Sequence, residues 1–494
     1  MSKKMHVWGV IVNGTSHFHV DREGNFYLTG AFEDSVFLTN SEEWIVPMDS
    51  TDFFMAKFNP EGQVIWKKLI TEMGMEIVFD MEVDPDGFLH ILGDFTQTII
   101  IDDTIIDIGE DIQYDESFLA KFSPEGDLIK FMRSGDNQED VVFISLDLDP
   151  QDNIIMRGAA KGSVAFGQAL PEPVSEYHYF VAKLKNDFEP IWCIPMSYTE
   201  AVKADHESNI YVSGKINVPL TLGDTTLNNP SSCFLVKLDM EGSPVWINSM
   251  PKMDYMEIER ISLDVDGNVY LTGEWPGDTL FFHNDTVLFN SNGKSFIFKF
   301  SEEGDLIWAK ALEFRFYSYL VDQTGYFYGA YYFRDTYEDG FVIVNNNGEV
   351  IYDEPFDDME IQDLSMDEEG NIFYHGWFTG NITIEEEEVV PQSGENYLVG
   401  QLKADQMISG STFKEEKYQT EIVVFPNPAN ERIYIKWPDP VEKLEVTVFD
   451  MSGKQVLNKQ VEKNSVNITS LSPGFYLVRL QGANRVVFEK IFIQ

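Results

Sequence analysis

The chain has 494 residues, with 83 Asp and Glu against 35 Lys and Arg, giving a formal net charge of −48 at pH 7. That balance argues against nucleic-acid binding, which relies on Lys and Arg to neutralise phosphates, and it disfavours anionic membrane surfaces. No apolar run approaches 18 residues, so no membrane-crossing helix is expected, and the acidity fits a well-solvated surface, a cation-rich setting or a basic partner.

The chain opens on a short apolar run, "MHVWGVIVNG", with Trp8 lying 13 residues before Asp21. At Asp21 begins "DREGNFYLTGAF", and similar stretches begin at Asp84, Asp149, Asp205, Asp266, Asp322 and Asp367, at intervals of 63, 65, 56, 61, 56 and 45 residues. Such self-similarity is read before any other feature, because it dictates the architecture. A second module alternates with the first. "DFFMAKFNPEGQVIWKK" carries Lys57, Gly62 and Trp66, and later copies carry Lys183 with Trp192, Lys237 with Trp246, and Lys299 with Trp308. The Trp follows the Lys by nine residues in each of these. The second copy keeps Lys121 but has Lys130 at the Trp position. The sixth has Ile343 and Tyr352, and the seventh has Gln401 and no Trp.

Each module is two short apolar runs around a Gly-containing turn, a hairpin signal, so a repeat holds four strands. Runs such as Phe296-Ile297-Phe298 are apolar on successive residues, which predicts strands buried on both faces. Radial stacking supplies a neighbour for each face. The expected fold is all-β, a seven-bladed β-propeller. Trp8 precedes Asp21 by the step that separates Trp192 from Asp205, so the first run is expected to complete the blade that begins near Ile361. Intervals near 60 predict extended loops, with "TIIDIGEDIQYDE" and "QALPEPVSEYH" as candidates. The D-x-x-G-N-x-Y-x-x-G and F-x-x-K-x-x-x-x-G-x-x-x-W halves resemble the bacterial seven-bladed β-propeller repeat family over roughly Val7 to Ser409. The resemblance implies an architecture and no single activity.

The pattern changes near residue 410. Residues 410–421 are polar and read as a linker. From 422 to 494, alternating Leu444, Val446 and Val448 and turns at Ser452-Gly453 and Pro473-Gly474 predict a small β-sandwich of six or seven strands. Residues 421–494 hold nine Lys or Arg against eight Asp or Glu, a charge of +1, which leaves −49 on residues 1–420. The tail resembles the type A C-terminal sorting domain of the type IX secretion system of Bacteroidetes. The residues that carry the likeness are Phe425, Pro426, Asn427 and Pro428, then Val448 to Gly453 with Asp450, then Leu471, Gly474, Tyr476 and Lys490. The resemblance implies engagement of the type IX secretion machinery, export, and a secreted or cell-surface location, with the tail cut off and the cargo released or attached to lipopolysaccharide. The first residues lack the apolar core and cleavage site of a signal peptide, and the expectation is that the true start lies upstream.

Catalytic signatures are sparse. In "DVDGNVYLTG", Asp264, Asp266 and Asn268 alternate as in a calcium loop, but Gly267 precedes the Asn and no closing Glu follows. A hairpin turn built on Asp, Asn and Gly is the simpler reading, with calcium at Asp84 and Asp86 or at Asp264 and Asp266 as the alternative. Otherwise no cofactor or metal is expected. His17 and His19 alternate on the first inner strand, where they could face the channel together, and a metal pair there would need a third ligand that the sequence does not show. Cys193 and Cys233 occupy different repeat positions and read as buried free thiols, with a disulfide between them as the alternative. The acidic runs Glu385 to Glu388 and "FDDMEIQD" read as solvated surface. There is no G-x-S-x-G, H-E-x-x-H or phosphate-binding Gly-rich loop. Trp44, Trp275 and Trp377 are candidates for stacking on sugars, whereas Trp8, Trp66, Trp192, Trp246 and Trp308 read as structural repeat residues. The leading expectation is an exported scaffold that binds an external protein or carbohydrate through the loops 41–49 and 167–177. Alternatives are a polysaccharide hydrolase or lyase acting in the funnel, and a structural adhesion protein.

Overall fold

The computed structural model describes residues 6–11, 16–32, 37–38, 52–72, 77–95, 98–101, 104–107, 116–134, 141–160, 178–230, 232–252, 256–275, 279–282, 286–289, 295–333, 338–356, 359–367, 369–378, 382–384, 387–389, 396–402, 423–425, 432–436, 444–450, 454–461, 465–482 and 485–493. Among them the regular elements are all strands. Contacts divide the chain into two units, residues 1–288 with 293–411, and residues 412–494 with 289–292.

The first unit is a β-propeller. Among the described residues, seven antiparallel sheets are built to one plan. The fifth is representative: Glu257–Leu263 pairs with Val269–Glu274, which pairs with Ser295–Phe300, which pairs with Leu306–Leu312. Third strands such as Asp52–Phe58 and Ser232–Leu238 are buried at every position. This is why their sequences run apolar without alternation, since each sheet face packs on a neighbouring sheet. One core cluster joins Tyr27, Phe53 and Met55 of the first sheet to Leu89, Phe95 and Phe118 of the second. Another joins Cys233 and Leu235 to Leu271 and Phe298 of the next sheet. Each such fully buried large side chain contributes about 1.5–3 kcal/mol of transfer free energy.

The first strands lie side by side in chain order. They are Ser16–Val20, Ile77–Val83, Val141–Leu148, Tyr198–Ala204, Glu257–Leu263, Arg315–Val321 and Met359–Met366. The last of them returns to contact Ser16–Val20. In the sheet that holds Met359–Met366, the strand beyond Asn396–Leu402 is His6–Ile11, with Trp8 opposite Val399.

The long repeat intervals have a structural cause. Connections between second and third strands carry extra hairpins, and some of these cover a neighbour's open edge. Thr98–Ile101 and Thr104–Asp107 form one, and it extends the first sheet by pairing with Val64–Glu72. Phe37–Leu38 pairs in the same way with His6–Ile11. Covering an edge removes a template for unwanted strand pairing. The stretch expected as the loop "TIIDIGEDIQYDE" therefore begins as a strand. "QALPEPVSEYH" lies outside the described residues as far as 177, as do the loops 41–49 and 167–177. The repeat phase also needs one correction. The Asp equivalent to Asp21 is Asp264, not Asp266, because Asp264 accepts from the backbone N–H of Asn268 as Asp21 does from Asn25. The fourth and fifth intervals become 59 and 58 residues.

The second unit has two small sheets. Arg432–Lys436 lies between Val423–Phe425 and Ser465–Asn467. Leu444–Asp450 pairs with Gln455–Val461 and Gly474–Gly482, and the latter pairs with Arg485–Ile493. Alternate residues of these strands, including Ile433, Val446, Val448, Val478 and Ile491, form one core. Residues 410–421 lie outside the described residues.

Candidate functional site

The repeated residues build joints between blades. Asp264 shows the pattern. Its Oδ1 accepts from the backbone N–H groups of Asp266 (3.1 Å) and Asn268 (2.9 Å), closing the turn. Its Oδ2 accepts from Asn268 Nδ2 (2.8 Å) and faces Lys299 Nζ at 3.2 Å. The same buried pair recurs as Asp21–Lys57, Asp84–Lys121, Asp149–Lys183 and Asp205–Lys237. Burial raises the Asp84 pKa, but hydrogen bonds from His90 and the Phe88 N–H, together with Lys121, outweigh it and hold the group below its usual value. At the two candidate calcium positions the space beside each inner carboxylate is thus taken by an ammonium group, and a hard cation would have to displace it. Asp86 and Asp266 are exposed at their turns.

The repeat Trp reaches the next blade. Its indole N–H donates to a backbone carbonyl there: Trp66 to Pro124, Trp192 to Met240, Trp246 to Glu302 and Trp308 to Asn346. The turn glycine lies against the indole. A Cβ on Gly304 would sit 3.0 Å from the Trp246 ring, and one on Gly242 would sit 2.7 Å from Ile194 and 3.2 Å from Trp192. Both glycines also have positive φ. Where Lys130 replaces the Trp, the next blade replaces the glycine by Phe188, and Lys130 Nζ donates to the Asp187 carbonyl while lying over the Phe188 ring. Of Trp8, the backbone pairing alone is described.

The inner strands assemble a different kind of site. Residues two and four positions before each repeat Asp form two tiers along the channel. The first tier holds His19, Glu82, Asp147, Lys203, Ser262, Leu320 and Ser365, and the second holds His17, Asp80, Ser145, Ala201, Arg260, Ser318 and Asp363. Lys203 Nζ lies 2.5 Å from Asp147 and 3.8 Å from Glu82, two blades away, and His19 Nδ1 lies 3.4 Å from Glu82. In the second tier Arg260 lies 3.6 Å from Asp363, also two blades away, and 3.1 Å from Ser318 Oγ. Several groups also bond the inner-edge backbone of the following blade. Asp80 accepts from Leu146 N–H, Asp147 from Ala204 N–H, Ser318 from Leu364 N–H and Ser365 from Val20 N–H. Edge amides that would otherwise lack partners are satisfied across the blade boundary.

Charge is crowded here, and the ionisation equilibria respond. Burial, then Glu82, push Asp80 up to about 6. Burial pushes Glu82 up to about 7 against the pull of Lys203, with Asp147 and Asp363 adding to the rise. Burial opposes the Lys203 charge, yet Asp147 and Glu82 hold its pKa above the ordinary lysine value. Burial, then Lys203, bring His19 down to about 4, and burial brings His375 down to about 4. A second acidic locus sits on Glu257–Leu263, where burial and then Glu274 push Glu259 up to about 7. His17 and His19 do reach the channel, and they end on the Val78 carbonyl and on Glu82. Sequence reading missed the other tier residues. Asp363 was assigned to a solvated run, but Met359–Met366 is an inner strand, so the structure corrects that reading. The signal was available as a fixed offset from each repeat Asp.

The remaining candidates are placed as follows. Trp275 is buried in a core cluster and Trp377 packs against another, which leaves neither as an open stacking platform, and Trp44 lies outside the described residues. Cys193 and Cys233 are free and buried, and burial raises both thiols to about 12. In the tail, Pro426, Asn427, Pro428 and Gly453 lie outside the described residues. Asp450 pairs in register with Tyr476, and Lys490 with Leu477. The Tyr476 hydroxyl donates to the Ser472 carbonyl at 2.8 Å, bridging the Pro473-Gly474 turn.

Among solved structures, the chain is similar to the Dos1 propeller at 8% identity, covering 80% of this chain and 94% of that one, with a TM-score of 0.42. It is also similar to hydrazine synthase of Kuenenia stuttgartiensis at 10% identity, covering 76% and 95%, with a TM-score of 0.39. An acylaminoacyl peptidase in complex with a chloromethyl ketone is similar at 11% identity, covering 87% and 58%, with a TM-score of 0.43. Likeness at this distance transfers no activity. No curated protein matches the sequence. Residues 423–494 match the model of one protein family, described as the secretion system C-terminal sorting domain. The chain therefore joins a β-propeller to a C-terminal sorting domain of the type IX secretion system, which directs export to a secreted or cell-surface location.

Proposed function

We propose that this protein is an exported, non-catalytic binding scaffold. Residues 1–409 form a seven-bladed propeller closed by its N-terminal strand, residues 410–421 form a linker, and residues 422–494 are the address read by the secretion machinery. The external partner is a protein or a carbohydrate. The observation that supports a scaffold is the state of the channel groups. Asp80, Asp147, Ser318 and Ser365 are engaged by the backbone of the next blade, and Lys203 and Arg260 are held by carboxylates. Groups committed in this way hold blades together. The test is to incubate the protein with a polysaccharide panel while following reducing ends, and in parallel to probe glycan and protein arrays. Array binding without turnover is the expected result, and sustained, metal-independent turnover would overturn it. Limited proteolysis between 410 and 421 should leave a soluble propeller, and unfolding on cleavage would refute the two-domain division.

One observation favours a second reading, a polysaccharide hydrolase or lyase. Glu259, held up to about 7, is a carboxyl that stays partly protonated near neutrality, as a general acid must. On that reading Glu259→Gln abolishes turnover in a protein that melts no lower than the parent.

A further inference from the structure

Blades 1 to 5 share a surface feature that their packing does not require. The turn between third and fourth strands exposes a carboxylate just before the joint residue: Glu61, Glu125, Asp187, Glu241 and Glu303. Four residues later the fourth strand exposes a β-branched side chain. These are Ile65 (51%), Ile129 (56%), Ile191 (40%), Val245 (56%) and Ile307 (50%). The buried Lys, the turn glycine and the Trp are each explained by contacts within the fold. Asp187 accepts from the Glu189 N–H and Glu303 bonds Ser301 within their own turns, but no such contact is common to the five, and the chemistry of both positions holds through five successive blades. The exposed position two residues after each carboxylate shows what solvent exposure alone permits, with Gln63, Asp127, Glu189, Ser243 and Asp305. In the sixth blade the pair becomes Asn347 and a less exposed Ile351.

The copies lie on one face of the propeller. The bonds from Trp66 to Pro124 and from Trp246 to Glu302 connect each of these turns to the fourth strand of the blade before it. The turns between first and second strands belong to the same face, as the bond from Asn346 Nδ2 to the Thr324 carbonyl (3.1 Å) shows by joining the two kinds of turn in the sixth blade. Among the exposed described residues of these turns, the cations are Arg22 and Lys185. β-Branched side chains exposed on outer strands favour association with another chain. A second copy would present the same carboxylates and be repelled, so the complementary occupant is basic.

We infer that this face docks a basic protein segment in extended conformation, with Lys or Arg alternating with apolar residues. The cations meet the turn carboxylates and the apolar side chains meet the β-branched row. The inference rests on the binding reading and specifies its partner.

The test uses the full chain and labelled octapeptides that alternate Lys-Val, Lys-Ser or Glu-Val, with a chitosan oligomer as a cationic saccharide. Two variants are compared with the parent: E61Q/E125Q/D187N/E241Q/E303Q, and I65S/I129S/I191S/V245S/I307S. Every changed position is exposed, and thermal melting confirms that each variant is folded. By fluorescence anisotropy at low salt, the Lys-Val peptide is expected to bind at least tenfold tighter than the other two. The neutralised variant should lose about tenfold and most of the salt dependence, and the serine variant should bind Lys-Val no better than Lys-Ser. The inference is overturned if the parent does not bind Lys-Val, if either variant binds it as the parent does, or if chitosan binds as tightly. An array partner whose binding survives both variants would leave the scaffold reading standing and remove this face from it. Failure of the arrays and the peptides together would remove both.

Discussion

Two regions of the propeller use the same repeat in opposite ways. At the turn face, Asp205, Lys237 and Trp246 are matched almost atom for atom by Asp264, Lys299 and Trp308 one blade on. On the channel wall, two and four residues before those aspartates, the side chains are Lys203 and Ala201 in one blade and Ser262 and Arg260 in the next. The turn face repeats one joint through most of its blades, and that uniformity lets those blades meet their neighbours by one geometry. The channel brings all blades to one axis, where identical residues would place like charges together. Variation there lets Lys203 meet Glu82 and Asp147, and Arg260 meet Asp363. Constant positions therefore report the scaffold, and varied ones report what meets at the centre.

Breaking a uniform joint should have the largest effect. Lys237→Met leaves the buried Asp205 carboxylate without its cation, and a loss of about 4 kcal/mol in denaturant unfolding is expected. Blade 6 shows how the fold tolerates the missing lysine. There Ile343 stands in its place, Asp322 is less buried, and the Tyr328 hydroxyl donates to it at 2.9 Å. A loss below about 1 kcal/mol would mean that the buried pairs are dispensable in every blade. Trp192→Ala removes the indole that fills the space against Gly242, with an expected cost of about 3 kcal/mol by the same measurement.

The joint between Lys130 and Phe188 is built differently from the others. Lys130→Trp and Phe188→Gly should each destabilise when made alone, because Phe188 occupies the space an indole would need and is itself packed in a core cluster. Made together they recreate the common joint, so a double-mutant cycle should show favourable coupling of about 1 kcal/mol or more. Zero coupling would separate the two departures. The smallest effect concerns the varied region. Burial, then Glu274, push the Glu259 carboxyl up to about 7 from an ordinary value of 4.5, so the native state binds the extra proton between those values. Stability attributable to this group is therefore fully present below about pH 4.5 and is lost as pH rises through 7. Glu259→Gln should accordingly stabilise the protein by about 1 kcal/mol at pH 8 and leave it unchanged at pH 4.5, as read from melting curves at the two pH values. An equal effect at both would assign the change to packing.

The uniform region was legible in the sequence because its chemistry repeats. Strand pairs, the Lys-to-Trp spacing and the tail motifs all announce themselves by recurrence or by matched order. The channel was legible only at His17 and His19, where two like residues alternate within one strand. Asp80, Lys203 and Arg260 carry no mutual resemblance, and their association depends on a ring that brings residues 60 to 120 positions apart to one axis. The link between Lys130 and Phe188 was hidden for a related reason. Each departure is visible in its own repeat, but their contact crosses a blade boundary, and a repeat alignment places them in different columns. The Asp264 phase was obscured by local similarity, since Asp266 is also followed by Gly and Asn, and the hydrogen bonds to Asn268 decide between them.

The pairing of His6–Ile11 with Asn396–Leu402 has a consequence in time. Among the described residues, every other four-stranded blade core joins strands that follow one another along the chain, so each can form soon after its last residue is made. His6–Ile11 precedes its partner by about 390 residues, which at ordinary elongation rates is about 20–80 s. Contacts of such separation form late and carry the largest loop-closure cost. A polypeptide of this sequence thus lacks its final fastening for most of its synthesis, and the apolar faces of its last blade stay open until that strand pair forms.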